Sequence, residues 1–163
     1  LTFAVTVTDS FALAVPSACT LSCHSPGAST TLDIDFFDQL PRMVARNYGR
    51  IVNMSSISGK EGNAREGAYC ATKHGVLGLT KSAAKVVLQY DIRINAVCPA
   101  LINTPLLEGL PQSQIDYFTA KIPLGRLGRA EEVADMVAFL ALSEAVDFIT
   151  GMAFDVSGGR ADY

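Results

Sequence analysis

Three side chains in the stretch "IVNMSSISGKEGNAREGAYCATKHGVLGLTK" have types and spacing suited to moving a proton. They are Ser56, Tyr69 thirteen residues later, and Lys73 four residues beyond that. Residues i and i+4 of a helix share a face, so Tyr69 and Lys73 stand one above the other. An ammonium beside a phenol favours the tyrosinate by Coulomb attraction and lowers the phenol's pKa from about 10. That brings Tyr69 toward the range where it exchanges a proton with an alcohol or ketone near neutral pH. Ser56 closes a run that reads as a buried strand, and open α/β sheets place their ligands beyond strand carboxyl ends. A hydroxyl there holds the substrate oxygen while the phenol exchanges its proton. The trio therefore suits interconversion of a hydroxyl and a carbonyl, with hydride carried by a separate cofactor. A tyrosine–lysine pair alone also describes a solvated helix face, so its surroundings decide.

Those surroundings read as alternating helices and strands. "DIDFFDQLPRMVARN" places Phe36, Phe37, Leu40, Met43 and Val44 on one helical face. Pro41 should bend or loosen that helix, and Asn47 and Gly49 stop it. "RIVNMS" is a buried strand. "GAYCATKHGVLGLTKSAAKVVLQY" is a long helix whose apolar stripe is Val76, Leu79, Ala83, Val86 and Val87. "IRINAVC" is a second strand, ended by Pro99. "AEEVADMVAFLALSEA" is a helix with acidic residues in its first turn, and "FITGMAFDV" is the last strand, closed by Gly158 and Gly159. Helices between successive strands imply parallel pairing through right-handed crossovers. The fold class is α/β, part of a doubly wound, Rossmann-like parallel sheet with flanking helices.

The chain divides near residue 33. Residues 1–32 hold one charged side chain, Asp9, and all thirteen lysines and arginines lie between Arg42 and Arg160. "SACTLSCHSPGASTT" reads as an irregular segment, and "TFAVTV" alternates well enough for a short strand. Residues 33–163 form the orderly part. At 163 residues, with 49% hydrophobic and 18% charged side chains, the whole reads as one globular domain. A net charge of −3 and a pI near 5.3 argue against a nucleic-acid or anionic-membrane partner. No apolar run is long enough to span a membrane. The apolar opening lacks a basic flank and is interrupted by Asp9, which disfavours a secretory signal. Cys19, Cys23, Cys70 and Cys98 are too scattered for a disulfide framework, and reduced thiols fit a cytoplasmic protein. Cys19, Cys23 and His24 lack a second ligand pair at zinc spacing, so no metal is expected.

"GRIVNMSSISG", "AYCATKHGVLGLTKSAA", "IRINAVCPALINTP" and "GRAEEVADMVAFLALSEAVDFITG" resemble, in order and spacing, the carboxyl-terminal half of short-chain dehydrogenases/reductases. The resemblance runs from about residue 33 to 159. It implies that Ser56 orients and polarises the substrate oxygen and that Tyr69 is the acid/base. Lys73 would lower the tyrosine's pKa and bind the nicotinamide ribose. Pro99, Ile102 and Thr104 would meet the nicotinamide end, through the Ile102 backbone and the Thr104 hydroxyl. The implied cofactor is NAD or NADP and the implied partner a small alcohol or ketone, in a homo-oligomer. "PLLEGLPQSQIDYFTAKIPLG" would be the mobile flap that selects the substrate. Asn53 and Asn95 match motif asparagines of structural type. His74 points about 100° away from Lys73 around the helix and reads as a surface or interface residue. Cys70 and Cys98 read as small core residues.

The resemblance breaks before residue 33. Gly27 is the only glycine among the first 48 residues, so no glycine-rich phosphate loop is present there, nor the family's Asn-Asn-Ala-Gly segment. The family's helix asparagine would fall near Ser29. Ala100 stands where a glycine is usual, and Ser157 where an aspartate is usual. The amino-terminal cofactor half is thus expected to be missing or replaced, with "TFAVTV" standing in for the strand beside "RIVNMS". The competing reading is a remnant of weak or no activity that acts as an oligomerisation or binding module. A serine hydrolase using Ser56 or Ser58 lacks the G-x-S-x-G elbow.

Overall fold

The computed structural model describes residues 4–6, 13–15, 19–21 and 35–161, with side chains described from residue 39 onward except Leu106. Most of the segment 1–32 lies outside the described residues, as do Cys23 and His24. Within that segment are three short strands: β1 (Ala4–Thr6), β2 (Leu13–Val15) and β3 (Cys19–Leu21). β2 and β3 pair with each other, antiparallel.

The remaining elements follow in chain order. They are α1 (Asp35–Ala45), β4 (Gly49–Met54), α2 (Gly67–Val86), β5 (Ile92–Pro99), β6 (Ile102–Asn103), α3 (Gln112–Thr119), β7 (Gly128–Arg129), α4 (Ala130–Leu142) and β8 (Ala153–Val156). β1, β4, β5 and β8 form a four-stranded sheet in that order. Every pairing in it is parallel. Ala4 lies opposite Ile51, so the amino-terminal strand does cover the outer edge of β4.

Alternation along β4 and β5 sends side chains to two different layers. Ile51, Ile92 and Ile94 face α1 and α2, where they meet Met43, Ala83, Ala84 and Val87. Val52 and Val97 face the opposite side and pack with Leu140 of α4 and with Val146. Each such side chain contributes roughly 1.5–3 kcal/mol by leaving water, which is why β5 sits at the centre. Its buried positions leave almost no surface exposed.

α1 runs through Pro41 and stops where Asn47 turns left-handed, with φ 52. The Tyr48 and Asn47 amides then satisfy the Met43 and Val44 carbonyls. α2 differs from its expected stripe. Val86 is 65% exposed, while Leu77, Thr80 and Ala84 join Val76, Ala83 and Val87 on the buried side. The inner face of α2 can include the Thr80 hydroxyl because Thr80 has a partner, Asn53, on β4. The last strand is also shorter than the pattern suggests. Phe148 is fully exposed, and the chain turns at Gly151 with φ +74 before β8 begins at Ala153.

Candidate active site

β4 delivers the first part of the site. Beyond Met54, the Ser55 amide still donates to the Val97 carbonyl at 2.8 Å, so the carboxyl ends of β4 and β5 stay side by side. Ser56 is extended and caps the single 3₁₀ turn Ile57–Gly59. Its Oγ accepts from the Ser58 amide at 3.1 Å. With that lone pair used by the backbone, the hydroxyl hydrogen remains to be donated elsewhere.

α2 delivers the second part. Ser55 Oγ donates to the Lys73 carbonyl at 2.9 Å, tying the strand end to the helix. The approach requires glycine at 59. A Cβ there would lie 2.8 Å from the Lys73 carbonyl oxygen and 2.6 Å from Ser55 Oγ. Farther down, Asn53 Nδ2 donates to Thr80 Oγ1 at 2.9 Å, and Thr80 donates to the Val76 carbonyl at 2.8 Å. Asn95 works on the other side of the sheet, donating to the Ile149 carbonyl and accepting from the Met152 amide, both at 3.0 Å. Both motif asparagines are thus engaged in holding elements together.

Lys73 is only 3% exposed. Its Nζ donates to the Met54 carbonyl at 3.3 Å, one residue short of Ser55. The same nitrogen lies 5.6 Å from the centroid of the Tyr69 ring. A buried ammonium is costly unless oxygen or π-electron partners surround it, and here the strand end and the phenol ring supply them. The fold therefore brings Tyr69 and Lys73 together beside the strand end that carries Ser56. Tyr69 itself is half-buried and so reaches both the lysine and the outside.

Pro99 ends β5, and the chain then leaves the sheet. Ile102 belongs to β6, which pairs in parallel with β7. Thr104 opens a 3₁₀ turn at Pro105–Leu107 without using its side chain to cap it. The excursion then forms α3, a helix with no buried residue. Its far end is anchored by buried Ile122 and by a hydrogen bond from the Leu124 amide to the Gly158 carbonyl at 3.1 Å. Gly158 is left-handed, with φ +62, and a Cβ there would fall 2.7 Å from Ile122. A cavity of about 230 Å³ opens at this base, lined by Ala100, Ile122, Arg126, Glu132, Asp155 and Ser157.

The other candidates fall where chemistry is disfavoured. His74 is exposed on α2, with Nδ1 2.8 Å from the Cys70 carbonyl. Cys70 and Cys98 are buried free thiols. Burial, seconded by the Asp155 charge, pushes the Cys98 thiol up to about 11, far from a reactive thiolate. No cluster of three or more potential metal ligands occurs among the described residues. No described helix is long and apolar enough to cross a membrane.

Sequence reasoning missed the residues that hold the trio in place: Ser55, Gly59 and Thr80. It also missed Lys60, whose Nζ meets Asp155 Oδ2 of β8 at 2.9 Å. Only Gly59 carried a signal, as a glycine three residues past the strand-end serine.

The four-stranded parallel sheet is an open α/β architecture of the kind that binds ligands beyond its strand ends, where Ser56, Tyr69 and the buried Lys73 lie. Residues 34–161 match the family model described as enoyl-(acyl carrier protein) reductase, and the chain belongs to this family of short-chain dehydrogenases/reductases. It is 50% identical over 124 residues to 2-dehydro-3-deoxy-L-rhamnonate dehydrogenase (NAD(+)) of Sphingomonas sp., covering 76% of this chain and 49% of that protein. It is 49% identical over 111 residues to (3R)-3-hydroxyacyl-CoA dehydrogenase of Homo sapiens, covering 68% of this chain and 42% of that one. Among solved structures it is similar to actinorhodin polyketide ketoreductase with NADPH. That match has a TM-score of 0.68 and 36% identity, over 74% of this chain and 50% of the other. The chain spans about half the length of the curated relatives it matches.

Proposed function

We propose that residues 33–163 are the catalytic part of an NAD- or NADP-dependent oxidoreductase that interconverts a hydroxyl and a carbonyl on a small molecule. The observation that carries this reading is the buried Lys73 ammonium, shared between the Met54 carbonyl and the Tyr69 ring beside Ser56. In the reducing direction, Ser56 donates its hydroxyl hydrogen to the substrate oxygen. Tyr69 delivers the proton as negative charge grows there, and Lys73 stabilises the phenolate left behind. In the oxidising direction the same groups act in reverse. The nicotinamide group supplies the hydride chemistry when bound.

The donor set suits the nicotinamide end of such a cofactor. Lys73 offers an ammonium to ribose hydroxyls, while Thr104, whose hydroxyl is not spent on capping, and the Ile102 backbone face a carboxamide. The names of the relatives above, dehydrogenase and ketoreductase, support the same chemistry. The pyrophosphate is a different matter, because residues 1–48 contain one glycine and no phosphate loop. Charge-assisted hydrogen bonds contribute about 1.5–3 kcal/mol each, so lacking two or three costs ~3–9 kcal/mol. At 1.4 kcal/mol per tenfold, a micromolar site becomes millimolar or weaker. The 163-residue chain alone should therefore bind cofactor weakly and turn over slowly, and reduced thiols fit a cytoplasmic setting. The test is titration of the 163-residue chain, following NADH or NADPH fluorescence without tryptophan interference. A low-micromolar dissociation constant would show that residues 1–32 supply a phosphate site.

A second reading is favoured by the surface around β8, an edge strand of the sheet. Phe148 and Met152, just before it in the chain, expose large apolar side chains, as do Phe139 and Leu142 on α4. Open edges and apolar patches recruit other chains. The chain should associate with itself or with a longer relative, and a clean monomer by light scattering at micromolar concentration would refute this.

A further inference from the structure

Asn63 lies in the connection between the Ser56 turn and α2, and it is where three separate segments meet. Its Nδ2 donates to Ser58 Oγ at 2.9 Å. Its Oδ1 accepts from Lys121 Nζ, at the end of the flap, at 3.3 Å. The same oxygen accepts from Arg160 Nη2, in the carboxyl-terminal tail, at 3.3 Å. Arg160 also pairs with Glu61, and its side chain is only 4% exposed.

From these contacts we infer that Asn63 is a positioning residue that couples the flap to the hydroxyl of Ser56. The link to Ser56 is short. Ser58 is 5% exposed, its side chain is held by Asn63, and its amide donates to Ser56 Oγ at 3.1 Å. The amide group of asparagine suits this junction because one end donates while the other accepts. Two cations converging on one carbonyl oxygen polarise it, and that strengthens the donor at the other end. When the flap moves Lys121 toward or away from Asn63, the grip on Ser58 changes, and with it the orientation of the Ser56 hydroxyl. Arg160 fixes the junction to the tail, which itself packs on the flap base at Ile122 and Leu124. Flap position on one strand end is thereby communicated to the hydrogen-bond donor on its neighbour. This inference rests on the proposed role of Ser56 for its consequence in turnover, but the coupling itself is readable without turnover.

The experiment is hydrogen exchange on the full 163-residue chain, comparing amides 56–61, amides 115–122 and the strand amides of β5. Asn63→Ala should speed exchange roughly tenfold in both of the first two windows and leave β5 unchanged. Lys121→Met should loosen the second window and, through Asn63, the first as well, while Ser58→Ala should act mainly on the first. Asn63→Asp should restore near-native protection in both, because a carboxylate still holds both cations and accepts from the Ser58 hydroxyl. Where turnover is measurable, Lys121→Met should raise KM and lower kcat modestly, and Asn63→Ala should lower kcat further. Loosening of one window only by Asn63→Ala, or of neither, overturns the inference. If Asn63→Ala also loosens β5, the single-arm variants decide: Lys121→Met must loosen both windows and leave β5 unchanged, and any other pattern overturns the inference. Two-window loosening upholds the junction whether or not the chain turns over, and the role of Ser56 is read separately, from turnover.

Discussion

The carboxyl ends of β4 and β5 are neighbours in the sheet and differ in how the chain leaves them. Beyond β4, Ser55, Ile57, Ser58 and Gly59 are all buried, and the turn they form is bonded both to β5 and to α2. Beyond β5, the described side chains of residues 100–129 are buried only at Leu107 and Ile122, and α3 has none. The first exit holds the Ser56 turn by burial and by hydrogen bonds on both sides. The second is fixed at its ends and adaptable between them. Proton transfer demands the first property, and accommodating different substrates demands the second. The fold places the two requirements on adjacent strands.

The sharpest way to break this comparison is Tyr69→Phe. Turnover of any active form should fall about 10²–10⁴-fold, while melting is nearly unchanged. Undiminished turnover would remove the acid/base assignment. Next in size is the contrast in stability between the two regions. Ile94→Ala in β5 should cost about 2–5 kcal/mol in denaturant unfolding, and Tyr117→Ala on α3 less than about 0.5 kcal/mol. Comparable losses would show that the flap is part of the core. Gly59→Ala should cost about 1–3 kcal/mol and also reduce turnover, because its Cβ must push Lys73 and α2 away from the Ser56 turn. A G59A protein of native stability and activity would show that this close approach is not needed.

The smallest effect concerns the return from the flap into α4. Arg126, seconded by the Arg129 amide, holds the half-buried Glu132 carboxyl down at about 2. A carboxylate depressed by folding stabilises the native state above its ordinary pKa, about 4.3, and that contribution fades as pH falls toward 2. Protection of amides in the first turn of α4, relative to their intrinsic exchange rates at each pH, should therefore fall between about pH 4.5 and 2, and less so in Glu132→Gln. High salt should blunt the difference, since the pair is at the surface.

Local patterns made much of this legible before any coordinates. β-branched runs marked β4 and β5, and the helix-spaced trio was readable because its members lie within eighteen residues. The missed features have physical reasons. Thr80 faces inward because Asn53, 27 residues earlier, satisfies its hydroxyl, which no hydropathy pattern announces. α3 gives a weak apolar signal because Ile115, Phe118 and Thr119 are only half-buried and no residue of it is fully buried. The expected strand through Phe148 failed because that side chain faces outward and Gly151 redirects the chain. Asn63 was unreadable because two of its partners lie 58 and 97 residues away.

The central claim is that Lys73 prepares the Tyr69 phenol for proton exchange. The most direct test is a near-ultraviolet tyrosinate titration of the wild-type chain, Tyr69→Phe and Lys73→Met. The sequence has five tyrosines and no tryptophan, so the wild-type minus Tyr69→Phe difference isolates one phenol. That phenol should ionise below the ordinary value of about 10 in the wild type and move upward in Lys73→Met. A Tyr69 that titrates like the other phenols, indifferent to Lys73, would contradict the account.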